Sequence, residues 1–244
     1  MITSVDNPRV KEVVRLRGSR ERRASGLFIA EGRREVERAL GSGLKAQAIY
    51  VAPELIEWTG GEEVSAKVLA KMAYRAEPEG VVGVFVAPTH AVPASPSLVL
   101  VCVGIEKPGN LGAMARSAVA AGADALIVAD GVVDPFNPNA IRASTGAVFT
   151  LPIVAGALED VQGLGIELVA AVVGATQRAW EADLASPTAL VIGAEDEGLD
   201  ARWRQACATH ISLPVIGEGV DSLNAANAAA VLLFEAVRQR SVTS

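Results

Sequence analysis

Several familiar signatures are missing from this 244-residue chain. No G-x-G-x-x-G follows an apolar run, so the dinucleotide-binding fingerprint is absent. No G-x-x-x-x-G-K-[ST] occurs, which removes the usual phosphoryl-transfer loop. The two cysteines, Cys102 and Cys207, and the two histidines, His90 and His210, lack clustered spacing, so no metal site is expected. Cys102 lies inside an apolar run and reads as core rather than as a reactive thiol. Ser222 has no evident histidine partner, because His210 sits at the start of a strand, and this argues against a Ser–His hydrolase. Aromatic residues make up only 4% of the chain. An apolar amino-terminal signal region and a bilayer-length apolar stretch are both lacking, so the sequence implies a soluble, cytoplasmic protein with no membrane partner.

What is abundant is small and aliphatic. Half of the residues are hydrophobic, chiefly Ala, Val and Leu, which suits an α/β protein with buried parallel strands. The net charge of −6 is unevenly spread: residues 1–40 hold ten Arg/Lys against six Asp/Glu, a balance of +4, which leaves −10 for the rest. A basic lobe on an acidic chain suits a polyanionic partner held by one end. Charge alone slightly favours the simpler reading, a solvated helix face.

Along the chain, Asn7-Pro8 can start a helix with Val10, Val13, Val14 and Arg17 on one face. Leu27–Ala30 reads as a short strand, Glu31–Leu40 as helix, Ala46–Val51 as strand, Glu62–Ala70 as helix and Val81–Val86 as strand. Pro88 to Pro96 carries three prolines and no periodicity, which separates a domain over 1–88 from one over 98–244 by a linker at 89–97. The second domain alternates throughout: strands at Leu98–Ile105, Ala125–Ala129, Leu168–Val173, Ala189–Gly193 and His210–Leu213, helices at 111–121, near 138–145, near 200–207 and at 225–240. That pattern predicts a parallel sheet with helices on both faces and ligands outside the carboxyl ends of the strands. Four loops there are rich in Gly and polar groups: 104–110, 130–139, 193–200 and 214–224.

The stretch Leu98–Gly122 organises the rest. Its apolar run ends at Glu106-Lys107-Pro108-Gly109, Asn110 stands where a helix cap belongs, and the helix closes at Gly122. Gly112 and Ala113 lie one turn before Arg116 on its face, so a guanidinium projects over a surface cleared of bulk. Leu111, Met114 and Ala118 face the sheet. Two further loops join this one: Val191-Ile-Gly-Ala-Glu-Asp-Glu-Gly198, and Leu213 through Asn227 with its Gly217, Gly219, Ser222, Leu223 and Asn224. The glycines can bring backbone close to an adenine-like ligand, with Leu213 and Leu223 as apolar walls. On spacing alone, Ser222 and Asn224 read as helix caps, with Asn227 completing a variant capping box. Glu195 reads equally well as a solvated loop carboxylate beside Asp196 and Glu197, and Arg116 as a surface arginine.

These three segments, in this order and separation, resemble the motifs of the SpoU (TrmH-like) family of RNA ribose 2′-O-methyltransferases, within the SPOUT superfamily. Arg142-Ala-Ser-Thr-Gly-Ala-Val-Phe-Thr-Leu-Pro152 resembles a family segment between the first two. The likeness covers about 98–240, and Phe28-Ile-Ala-Glu-Gly-Arg33 resembles the family's ribosomal-protein-like substrate-binding domain. The resemblance implies an α/β domain with a deep trefoil knot, a homodimer through that domain, and bound S-adenosylmethionine. Carried over by position, Asn110, Arg116, Ser222 and Asn224 fall in the catalytic group, and Gly193, Glu195, Leu213, Ser222 and Leu223 in the cofactor site. The family's third motif commonly continues Val-Ser-Val-Ala where this chain has Ala225-Ala226-Asn227-Ala228.

The implied reaction moves a methyl group from a sulfonium to a ribose 2′-hydroxyl. The family's proposed base is the first-motif arginine, here Arg116. A guanidinium keeps its proton in proteins, which favours a role in holding phosphate and stabilising the developing alkoxide. Phosphate contacts in the RNA would come from Arg15, Arg17, Arg20, Arg22, Arg23, Arg33 and Arg34, with Phe28 and Tyr74 the candidate stacking platforms. A separate amino-terminal domain of this type points to 23S ribosomal RNA, with tRNA second. Two other readings are a non-catalytic RNA-binding protein of the same fold and a methyltransferase acting on a base nitrogen.

Overall fold

The computed structural model describes residues 1–131 and 133–243; Val132, in the 130–139 loop, and Ser244, at the end of the second domain, lie outside them. In chain order the elements are α1 (Pro8–Arg15), α2 (Ser19–Ser25), β1 (Leu27–Glu31), α3 (Arg33–Gly41), β2 (Ala46–Val51), β3 (Glu62–Glu63), α4 (Ala66–Met72) and β4 (Val81–Val86). They continue with β5 (Leu98–Val103), α5 (Pro108–Ala120), β6 (Ala125–Ala129), α6 (Pro138–Ser144), β7 (Ile153–Ala155), α7 (Leu158–Gln162) and β8 (Glu167–Ala171). The last are β9 (Gln177–Arg178), β10 (Thr188–Ile192), α8 (Ala201–Ala206), β11 (Thr209–Ser212) and α9 (Ala225–Thr243). They divide into two compact units, Met1–Thr89 with Asp134–Thr150, and His90–Val133 with Leu151–Ser244. The first break falls inside the proline-rich stretch. The second assignment was not legible: residues 134–150 lie within the carboxyl-terminal span of the sequence yet pack with the amino-terminal unit.

In the amino-terminal unit the sheet order is β1-β4-β2-β3. β4 pairs antiparallel with both β1 and β2, and only β2–β3 is parallel, so the βαβ reading of this region gives way to a mixed sheet. The helix expected over Glu62–Ala70 starts later. Glu62 and Glu63 pair with Tyr50 and Val51, and Ser65 caps α4 by accepting from the Val68 amide. A serine oxygen satisfies an orphan helix donor, so it sets the start. α1 and α4 cover one face through Val10, Val13, Val68, Leu69 and Met72, all buried.

The other face is aromatic. Phe28 is fully buried and stacks on Phe85, Phe136 and Phe149 with ring centroids 5.8, 4.5 and 5.7 Å away. Phe28 is therefore core and offers no stacking platform to a ligand. Arg22 is also buried: its Nε meets Asp134 Oδ2 at 2.6 Å, and one terminal nitrogen donates to the carbonyls of Leu16 and Arg17. This guanidinium ties α2 to the 134–150 segment, a structural task that replaces the phosphate contact expected of it.

The second unit holds a seven-stranded sheet, order β7-β6-β5-β10-β8-β11-β9, with every pairing parallel. β5 and β10, at its centre, are buried at every position. Val99, Val101 and Val103 face a cluster with Leu158, Val161 and Trp203 from α7 and α8. Alternate residues face the other way, where Cys102 Sγ meets Met114 Sδ of α5 at 3.8 Å, and Leu111 and Ala118 are buried as expected. α9 packs on α5 and β10. Its far end is anchored by Arg240, which donates to the carbonyls of Ser97, Leu184 and Ser186. β7, β9 and α7 escaped the sequence reading because they are too short to show a period.

Arg22→Ala removes one partner of a buried ion pair and leaves Asp134 and two carbonyls unsatisfied. The expected loss is about 3–5 kcal/mol, measured by urea unfolding, with amide exchange accelerating in β1 and α6 and not in β5. Unchanged exchange in α6 would show that Arg22 does not hold the 134–150 segment.

Candidate active site

Asn110 does not cap α5. Pro108 occupies its first turn, with Lys107 as the N-cap, because a fixed φ and a missing N–H suit that position. Asn110 is thereby displaced into the helix, and its side chain is free to reach a neighbouring loop.

That loop follows β10. Gly198 donates to the Ala194 carbonyl at 3.0 Å and adopts φ +65°, closing 194–198 into a tight turn. The turn folds back on Gly193, where an added Cβ would lie 2.3 Å from the Gly198 carbonyl carbon. Only glycine fits there, and the turn then delivers Glu195 to α5. Glu195 Oε1 accepts from Asn110 Nδ2 at 2.7 Å, and Oε2 pairs with Lys107 Nζ at 2.6 Å.

The third segment completes the cluster. Asn224 Nδ2 donates to Glu195 Oε1 and lies 3.4 Å from Asn110 Oδ1. Its Oδ1 accepts from the amides of Ala226, at 2.9 Å, and Asn227, at 3.4 Å. The cap reading and the site reading of Asn224 are thus both met, one by each end of the amide. The Lys107 ammonium, then Asn110 and Asn224, hold the Glu195 carboxyl below its usual range, against a smaller opposing effect of burial.

Beside this cluster opens a cavity of about 370 Å³. Gly193, Glu195, Leu213, Ser222 and Leu223 all line it. Sequence reasoning missed Val172, Ile211, Ala225 and Leu232, which supply further apolar wall; they sit at strand ends and on α9, where an apolar residue reads as core. Residues 214–223 make no backbone–backbone hydrogen bond among the described residues, and Val215, Asp221, Ser222 and Leu223 of this segment line the cavity. Asp196, Glu197, Asp221 and Arg204 line it with Glu195, and apolar walls beside carboxylates and backbone groups suit an adenosine-like group. The Ala225-Ala226-Asn227-Ala228 departure leaves Ala225 and Ala228 on the wall, where short side chains keep the space open.

Arg116 stands apart. It is exposed on α5, is not among the lining residues, and has no hydrogen-bond or ion-pair partner among the described residues. Gly112 is buried, so the small-residue surface expected beside Arg116 is closed at that end. Of the amino-terminal arginines, Arg15, Arg20 and Arg23 are exposed. Arg17 donates to the Lys71 carbonyl at 2.5 Å and to that of Ala73. Arg33 pairs with Glu37 and lies 5.6 Å from the Trp58 ring, and Arg34 pairs with Glu35. Cys102 and Cys207 are buried and unpaired, and burial pushes the Cys207 thiol up to about 11, so neither is poised as a nucleophile. No group of His, Cys, Asp and Glu among the described residues could hold a metal ion.

A parallel sheet whose carboxyl-end loops close a nucleoside-sized cavity beside a carboxylate–amide cluster defines a nucleoside-cofactor enzyme of the α/β class. Residues 97–234 match the SpoU rRNA Methylase family model, and the chain belongs to that family. Residues 7–83 match the MRM3-like substrate binding domain. An uncharacterized tRNA/rRNA methyltransferase of Synechocystis sp. is 33% identical, the match covering 100% of this chain and 95% of that protein. The 23S rRNA (guanosine(2553)-2′-O)-methyltransferase RlmP of Bacillus subtilis is 30% identical over 96% of this chain and 97% of its own length. The crystal structure of the SpoU methyltransferase AviRb from Streptomyces viridochromogenes, in complex with AdoMet, superposes with a TM-score of 0.86 at 31% identity, covering 96% of this chain and 98% of that one.

Because the folded state depresses the Glu195 pKa, its contribution to stability is present above the unfolded carboxylate's value near ~4.3 and is lost as pH falls through the lower folded value. Thermal midpoints followed from pH 6 to pH 3 should show wild type losing an increment that Glu195→Gln lacks. Parallel curves would mean that the carboxylate charge does not hold the three segments.

Proposed function

We propose that the chain transfers a methyl group from S-adenosylmethionine to a ribose 2′-hydroxyl of RNA, with 23S ribosomal RNA as the substrate. The observation that carries this reading is the meeting of Asn110 and Asn224 at Glu195, which lines a cavity with Gly193, Leu213, Ser222 and Leu223. When bound, the cofactor supplies an electrophilic sulfonium methyl group. Leu213 and Leu223 hold its apolar surface, and the open backbone of 214–223 meets its polar edges. Ser222 and Asn224, with Asn110, position the acceptor sugar. Arg116 uses its unpartnered guanidinium to hold the phosphate next to the acceptor and to stabilise the developing alkoxide charge.

The amino-terminal unit binds the RNA, with Arg15, Arg20, Arg23, Arg33 and Arg34 as phosphate contacts. The match of 7–83 to a substrate-binding domain supports this, as does the charge balance of residues 1–40. The whole-length match to a 23S rRNA enzyme favours ribosomal RNA over tRNA. The strand order favours the trefoil knot: β10 lies between β5 and β8, both earlier in the chain, and α9 then returns to pack on α5 and β10. A homodimer through α5 and α9 is supported by their exposed apolar groups, Val119, Val231 and Phe234. Among the described residues no helix is long and apolar enough to cross a membrane, in keeping with an enzyme that meets RNA in the cytoplasm.

Total RNA from a strain lacking the gene, incubated with the enzyme and labelled cofactor and then mapped for ribose modification, should show one methylated 23S nucleotide. Methylation of tRNA alone, or of a base nitrogen, would refute the substrate assignment. Arg116→Ala should lower kcat by about 10²-fold or more without changing cofactor affinity, and Arg116→Lys should recover part of the rate. Normal turnover by Arg116→Ala would remove the residue from the reaction.

Sedimentation equilibrium should give a dimer that Phe234→Asp converts to monomer. A wild-type monomer would overturn the interface.

A further inference from the structure

RNA recognition of unpaired nucleotides needs an exposed ring and a nearby positive charge, and this chain has few rings to offer. Four of its five phenylalanines are spent in one buried stack or beside it: Phe28, Phe85, Phe136 and Phe149. Tyr74 is different. The residue is 42% exposed, and its backbone is fixed, because the N–H groups of Tyr74 and Arg75 both donate to the buried Glu31 carboxylate, at 2.9 and 3.2 Å.

A second element reaches Tyr74. α6 begins at Asn137 and Pro138, with the Asn137 side chain accepting from the Asn139 amide. The Asn139 Nδ2 donates to the Tyr74 hydroxyl at 3.2 Å, and its Oδ1 accepts from Arg142 at 3.1 Å. Tyr74, Arg75, Arg142, Glu31 and Glu35 border one cleft. The guanidinium groups around it differ in their partners. Arg34 and Arg75 meet the buried Glu35, and Arg75 also meets Glu79. Arg142 is exposed, and the only hydrogen-bond partner of its guanidinium among the described residues is the neutral Asn139 amide. A guanidinium with no ion-pair partner among the described residues therefore stands beside an exposed aromatic ring on a fixed backbone.

We infer that Tyr74, Asn139 and Arg142 form a subsite for one unpaired nucleotide of the RNA substrate, the base stacked on the Tyr74 ring and the phosphate held by Arg142. The inference rests on the RNA-substrate reading above. It enlarges the substrate-binding surface beyond the 7–83 span of the domain model, because Arg142 and Asn139 belong to the 134–150 segment that packs within the amino-terminal unit. Asn139 joins the two halves: without it the ring and the guanidinium have no common support.

The test uses the full-length chain and a 5′-fluorescein-labelled 12-nucleotide single-stranded RNA of mixed sequence, read by anisotropy, with the same RNA annealed to its complement as a second probe. Tyr74→Leu and Arg142→Gln should each weaken single-strand binding about tenfold or more, with duplex binding within about twofold of wild type. Tyr74→Phe, which keeps the ring but loses the Asn139 hydrogen bond, should weaken single-strand binding clearly less than Tyr74→Leu. Arg142→Gln should also flatten the salt dependence by about one phosphate contact, a slope change near ~0.7. Wild-type single-strand affinity in both variants would overturn the subsite. Equal loss on both probes, or Tyr74→Phe as weak as Tyr74→Leu, would overturn it too.

Methylation of 23S ribosomal RNA from the deletion strain separates this result from the functional reading. The variants should raise KM and leave kcat and cofactor affinity unchanged. A wild-type enzyme that methylates normally, with variants of unchanged KM, sinks the subsite alone. Ring- and charge-dependent binding without any methyl transfer supports the subsite and sinks the proposed reaction.

Discussion

One carboxylate gathers three stretches of chain that lie far apart in sequence. Glu195 accepts from Lys107, Asn110 and Asn224; all its partners donate, so the ionised form is favoured, and the ion pair with the Lys107 ammonium requires it. Charge-assisted bonds of this kind are roughly twice as strong as neutral ones, and no partner could be exchanged for another acceptor without repulsion. The cavity depends on this junction. Asn224 starts α9, α9 carries Ala225, Ala228 and Leu232 along the cavity wall, and the open 214–223 segment hangs between Asn224 and the end of β11. Gly193 is the steric condition for the whole arrangement, since the 194–198 turn that presents Glu195 occupies the space of a side chain.

The division of labour among side chains is unusually clear in the amino-terminal unit. Its basic character suggests a surface for RNA, yet part of that charge is structural. Arg22 is buried against Asp134, and Arg17 donates to two carbonyls near the end of α4. The charges left at the surface are fewer than composition suggests, and they are not confined to the first forty residues. Arg142 joins them through the path of the chain, as α6 leaves the 97–234 span to pack where Tyr74 is held. The same economy governs the phenylalanines of this unit, which build a core, while Tyr74 stays exposed.

In the second unit, chemistry is concentrated on a few groups beside an otherwise aliphatic sheet. Valines and alanines bury β5 and β10 completely and leave the loops at their carboxyl ends to carry polarity. The cavity has apolar walls with carboxylates among its lining residues, Glu195 links it to the Asn110 and Asn224 amides, and Arg116 stands exposed on α5.

The sequence by itself determined the parallel sheet and its central strands, because uninterrupted aliphatic runs are local properties that survive without neighbours, and the resemblance of its three loop motifs pointed to the family and to five residues that line the cavity. It also showed that Asn224 could cap α9. Tertiary structure alone decided that the same amide reaches Glu195, that Pro108 moves the helix start and frees Asn110, and that Phe28 and Arg22 are interior. It also decided that 134–150 belongs with the amino-terminal unit. Each of these turns on which surface a side chain meets across the fold, and a pattern of residue types along one chain does not encode the partner on the other side.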